Sequence, residues 1–159
     1  MDKIMMPDPI VHIIDGNADP FTPNGWSIEK HEKCGLMKLE GRGDDLYLNE
    51  KKIVLFLSKK QQWGKHAVGH ELREELSGKK VLNGNVLDYL IAHCELIPES
   101  WKKDENGNIR YIFFWGTIYI SSSGGLCVRY LDLDGRWSRD YDWLGRDWGG
   151  HSPAALCVS

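Results

Sequence analysis

His66 and His70 stand four residues apart with Glu71 directly after them, a spacing that on a helix would turn two imidazoles toward one metal ion. The glutamate follows the second histidine, which is not the H-E-x-x-H order, and no third ligand accompanies the pair, so surface histidines are the better reading. Asp132 and Asp134 before Gly135, and Asp104 with Asn106, Gly107 and Asn108, resemble the opening of a calcium loop. Neither stretch has the bidentate acid that closes such a loop, and ordinary turn chemistry accounts for both. Cys34, Cys94, Cys127 and Cys157 are widely separated without a C-x-x-C pair, which is neither zinc spacing nor a dense disulfide framework. Free, mostly buried thiols are expected. No Ser/His/Asp or Cys/His set can be drawn, and no glycine-rich phosphate loop follows a strand. The residues therefore predict no catalytic group, no metal and no cofactor.

A different signal lies in the last third of the chain. Residues 1–115 hold 13 Lys, 10 Glu, 2 Gln and all 4 Met, whereas residues 116–159 hold none of these types. An AAC codon randomised at its adenines encodes small, polar, aromatic and aliphatic residues and Arg, but never Lys, Glu, Gln, Met or Trp. The tail is written in that alphabet apart from Trp137, Trp143 and Trp148, which reads as a fixed aromatic frame carrying interchangeable residues. An aromatic-rich antiparallel sheet that merely lacks long charged side chains is the plainer alternative.

The segment from Phe113 through Trp115-Gly116-Thr117 to Tyr119, then Val128-Arg129-Tyr130-Leu131, Tyr141-Asp142-Trp143-Leu144, Asp147-Trp148 and Ser152-Pro153-Ala154-Ala155 resembles the variable protein of a diversity-generating retroelement. Val81-Leu82-Asn83-Gly84-Asn85 and Leu96-Ile97-Pro98-Glu99-Ser100-Trp101 are similar to the scaffold of such bacterial proteins. The resemblance implies a C-type lectin fold of α+β class: one domain over residues 1–159, with residues 1–115 as scaffold and residues 116–159 as a ligand-binding region rewritten by error-prone reverse transcription. It implies a displayed set of Ile120, Ser121, Ser123, Asp132, Leu133, Ser138, Arg139, Asp140, Asp142, Gly145, Arg146, Gly149, His151 and Ser152, on a frame of Trp115, Tyr119, Trp137, Trp143 and Trp148. The implied partner is a macromolecule, a protein before others. Tyr, Trp and Arg supply contact area at modest entropy cost, and Ser, Gly, Asp and His supply adaptable polar contacts. A sugar- or wall-binding lectin module and an enzyme of the formylglycine-generating fold are the alternatives.

The elements that must position these residues are legible in outline. Residues 10–14 form a β-branched run stopped by Asp15-Gly16, and residues 34–40 and 53–57 are further strand candidates. Val68, Leu72 and Leu76 lie four apart before Gly78, which predicts a short amphipathic helix. Asn85 is the expected N-cap of a second helix with Val86, Leu87, Leu90 and Ile91 on its apolar face. Pro98 opens a further helical turn, and the loop of residues 104–108 leads into a strand over residues 109–115. Turns at Ser123-Gly124-Gly125 and Asp134-Gly135 then predict antiparallel hairpins. On a strand, Ser138, Asp140 and Asp142 share one face and Trp137, Arg139 and Tyr141 the other, which sets Arg139 apart from the displayed set.

At 159 residues with a formal net charge of -3, the chain is long enough for one core without staples. Its scattered lysines offer no electrostatic footprint for nucleic acid. No apolar run reaches membrane-span length, and the first nine residues hold no signal-peptide core before their prolines, so a cytoplasmic protein without membrane insertion is expected. Because no complete ligand set for calcium or zinc is written in the chain, EDTA should leave the thermal midpoint unchanged. A drop would make Asp132, Asp134 and Asp104 the first ligands to mutate.

Overall fold

A computed structural model of the chain describes residues 11–158. Over these the fold is mixed α and β. Strands β1 (His12–Asp15), β2 (Ser27–His31), β3 (Leu36–Arg42), β4 (Asp45–Leu48), β5 (Lys51–Phe56) and β6 (Ala67–Val68) precede helices α1 (Gly69–Leu76) and α2 (Gly84–Ala92). Strands β7 (Ile112–Ile120), β8 (Leu126–Asp134), β9 (Arg136–Trp143), β10 (Asp147–Trp148) and β11 (Ala154–Cys157) follow.

Nine strands form one sheet in the order β1-β3-β4-β5-β11-β7-β8-β9, with β2 also pairing β7. Scaffold and tail therefore share a sheet: β11, from the chain's end, pairs antiparallel with β5 and parallel with β7. Strand β7 is buried at every position but Ile120, and a strand buried on both faces needs cover on both sides. One side carries α2, whose Val86, Leu87 and Leu90 pack with Leu39, Ile112, Phe114, Leu131 and Ala155. The other carries α1, whose Leu72 and Leu76 pack with Phe113, Trp115, Ile118, Val128 and Trp148. The pairing of β7 with β8 shifts register between Phe113 and Ile118.

That irregularity seats the start of α2. A Cβ on Gly116 would stand 2.7 Å from the Asn83 nitrogen, so only glycine lets the helix entry approach the strand this closely. Asn83, fully buried, caps α2 through Oδ1, which accepts from the Asn85 and Val86 amides. Its Nδ2 donates to the carbonyls of Gly16 and Glu32. The N-cap is thus Asn83 rather than the expected Asn85, whose Nδ2 instead holds the Asp15 and Ala18 carbonyls.

The first helix, the turns at residues 123–125 and 134–135 and the helical turn after Pro98 lie where the sequence places them. The strand expected over residues 109–115 begins at Ile112 and runs to Ile120, because Ile109 bridges back to Lys103 and closes the preceding loop. Strands β2 and β4 answer no sequence expectation. Ile10 lies outside the described residues. No helix among the described residues is long and apolar enough to cross a membrane. Asn83→Ala should cost about 3 kcal/mol in urea unfolding, since it removes a cap and strands buried carbonyls. Asn85→Ala, at the half-exposed position, should cost under about 1 kcal/mol.

Candidate ligand-binding surface

Strands β8 and β9 pair over eight residues, from Cys127 opposite Trp143 to Asp134 opposite Arg136. Paired residues share a face. One face therefore carries Cys127, Arg129, Leu131 and Leu133 with Trp143, Tyr141, Arg139 and Trp137, and it turns toward α2. The other carries Val128, Tyr130, Asp132 and Asp134 with Asp142, Asp140, Ser138 and Arg136. Because β9 is the last strand of the sheet, its outer half stays uncovered.

Beside the second face lies a groove of about 940 Å³. Its walls are the loop carrying Trp63, Lys65 and His66, the loop of Asp104 to Arg110, and the tail residues Tyr130, Asp142, Asp147, His151 and Ser152. Buried Gln61 holds the C-terminal wall, since its Nε2 donates to the carbonyls of Gly149 and Ser152. Asp104 accepts from the Asn106 and Asn108 amides through Oδ1, and its Oδ2 lies 3.2 Å from His151 Nδ1. The Asn108 amide, joined by that of Asn106 and by His151, holds the Asp104 carboxyl below its usual range. From the groove an aromatic ladder descends into the core. Tyr111 meets Tyr130 edge-on at 5.5 Å, Tyr130 meets Phe113 at 5.1 Å, and Phe113 stacks on Trp148 at 4.1 Å.

The exposed face of the hairpin is acidic. Burial, and then the charges of Asp140, Asp132 and Asp142, push the Tyr130 hydroxyl up to about 12. Burial also raises the Asp132 carboxyl, with Asp134 and Asp140 adding to the effect and the Ser138 hydroxyl bond opposing it. On the opposite face, Arg129 is buried and donates two hydrogen bonds to Asp88 on α2, at 3.0 and 2.7 Å. Burial disfavours its charge, and Asp88 more than compensates, so its pKa is raised.

The displayed set divides among three places. Asp142, Gly149, His151 and Ser152 line the groove, and Asp132, Ser138 and Asp140 continue its acidic face. Gly145 and Arg146 sit in the adjoining exposed turn, with Arg146 Nε 3.5 Å from Asp142. A side chain on Gly149 would displace His66, which stands 2.9 Å from a Cβ built there. Ile120, Ser121 and Ser123 gather at the β7–β8 turn, and Leu133 and Arg139 lie on the α2 face, where Arg139 reaches Asp88 at 3.2 Å. One contiguous face for the whole set is therefore not what the fold forms, because alternation along a strand sends neighbours to opposite sides.

One further expectation is corrected. Ser121 is only 5% exposed. It closes the hairpin turn through its amide bond to the Gly125 carbonyl, and its hydroxyl folds back onto Ser123. Trp143, of the frame set, packs over Gly125 from the edge strand and is 36% exposed. Trp115, Tyr119 and Trp148 are buried, and Trp137 is half-buried against the α2 core. The four thiols are free, but Cys34 is exposed. His66 lies outside α1, so His66 and His70 do not share a helical face. Sequence reading missed the scaffold's share of the groove: Trp63, Lys65, Asn106, Arg110 and Tyr111. An aromatic residue in the polar Gln61-Gln62-Trp63-Gly64-Lys65 stretch was the available signal.

The acidic face has a measurable consequence. With its pKa raised, Asp132 keeps its proton to higher pH in the folded chain than in the unfolded one. Ionising it costs stability as pH rises through that window, and the cost persists above it. Asp132→Asn should therefore raise the thermal midpoint at neutral pH and lose that advantage below the carboxylate range.

No protein-family model, curated protein or solved structure matches the chain, so the meaning of this surface rests on its own residues and geometry.

Proposed function

We propose that this chain is a ligand-binding protein of C-type lectin fold, without catalytic activity, whose residues 116–159 have been diversified by a retroelement to bind a protein. The observation that carries the reading is a change of residue alphabet within β7 together with the residues that the tail exposes. The residue alphabet changes at Gly116, and downstream of it residues on the exposed side of β9 and in the following turns are of types reachable from a mutated AAC codon. Positions that the core requires are held by Trp148, Leu144, Ala154 and Ala155. Exposed substitutions cost little stability and buried ones cost much, so such a surface tolerates rewriting while its frame persists. Net acidity argues against nucleic acid as the partner.

A carbohydrate-binding module is the second reading, favoured by Trp63, which is 77% exposed at the groove's rim and offers a face for a pyranose ring. The formylglycine-generating alternative is weakened at Cys127, where burial pushes the thiol up to about 11 and disfavours the thiolate.

Sequencing the gene with its flanks tests the proposal. The expected result is an imperfect second copy of the segment encoding residues 116–159, differing only at template adenines, beside a reverse transcriptase reading frame. A locus without that copy, or differences spread over all four bases, would sink the retroelement reading.

A further inference from the structure

We propose that the groove between the Trp63 loop and the β8–β9 hairpin receives a cationic side chain, arginine or lysine, carried on an extended segment of the protein ligand. The inference rests on the ligand-binding reading for the nature of the partner, and on the groove itself for the ligand's chemistry.

The groove is large enough for a side chain and its flanking backbone, at about 940 Å³. Four carboxylates line it, Asp104, Glu105, Asp142 and Asp147, against two permanent cations, Lys65 and Arg110. Pairing offsets part of this excess, since Asp104 meets His151 at 3.2 Å and Asp142 meets Arg146 at 3.5 Å. Among the described residues, Glu105, Asp140 and Asp147 form no ion pair. Asp132 and Asp140 extend the same acidic face along the hairpin, on the side that carries Tyr130.

Aromatic walls decide between kinds of cation. Trp63 and Tyr111 are exposed at the rim, with Tyr130 half-buried behind them. The Trp63 ring already has an ammonium near it, Lys65 Nζ, 6.0 Å from its centroid. An exposed ring face in a groove that also holds carboxylates suits a guanidinium or an alkylammonium, which stacks or lies along the ring and donates to an acid. A bare metal ion is less well served, since among the described residues no three His, Cys, Asp or Glu groups converge to hold one. A phosphate or other anion would be repelled.

The test pans a random heptapeptide library against the full chain, then measures one retained synthetic peptide on wild type, Asp142→Asn and Trp63→Ala. Both positions are at the surface of the groove, and circular dichroism checks that the variants are folded. Arginine or lysine should be enriched in the retained peptides. The peptide's affinity should fall about tenfold with either variant and weaken steadily as salt is added. Retained peptides without cationic enrichment, no retained peptide at all, or affinity unchanged in both variants would overturn the proposal. So would a glycan that binds in a Trp63-dependent manner where no peptide does. Failure here leaves the adenine-directed repeat to be found or not found at the locus, so the two readings fall separately.

Discussion

A single buried amide, Asn83, ties together parts of the chain that are distant in sequence. Its oxygen starts α2, and its nitrogen binds the carbonyls of Gly16 and Glu32. Its backbone rests against Gly116 in the middle of β7. The neighbouring Gly84 amide donates to the Thr117 hydroxyl, itself 2.8 Å from His31 Nδ1. A buried polar group is costly unless every partner is in place, so this node permits little variation in how β1, β2, α2 and β7 come together. Strand β7 is thereby positioned before the hairpin that follows it begins.

The hairpin is fastened to α2 a second time by Arg129 and Asp88. A buried ion pair adds little net stability, because desolvation offsets most of its attraction, but breaking it leaves an unpaired buried charge. Its contribution here is orientation. Arg129 lies 5.7 Å from the ring centroids of both Phe21 and Tyr141, and Trp26 packs on Tyr141 at 4.7 Å. The middle of one face of the hairpin, around Arg129 and Tyr141, is thus closed by the scaffold. The acidic residues are left on the other, beside the groove.

On the groove side the scaffold contributes walls rather than a lid. Gln61 fixes the loop of residues 149–152, and the pairing of β6 with β10 brings the Trp63 loop beside it. In the proposed function, a binding surface is divided between residues that can change and residues that cannot. Asp140 and Ser138 belong to the first kind, since little rests on them. Trp148, stacked on Phe113 and tilted against Trp115 at 4.9 Å, belongs to the second.

What the sequence alone determined is local. The spacing of Val68, Leu72 and Leu76 before Gly78 is enough to place α1, and Asp134-Gly135 is enough to turn β8 into β9, because helix periodicity and positive-φ turns depend on neighbours in the chain. Strand alternation likewise separated Arg139 from Ser138, Asp140 and Asp142. Tertiary structure decided what depends on distant partners. Asn83 caps α2 in place of Asn85 because Gly16, Glu32 and Gly116 surround it, none of them near in sequence. Ser121 is buried because the hairpin closes over it, and Trp143 is exposed because its strand ends the sheet. Trp63 and Tyr111 are walls of one groove because β11 lies between β5 and β7 and β10 pairs with β6. Such pairings are written in no short window of the chain, since they are chosen by which apolar faces can be buried together.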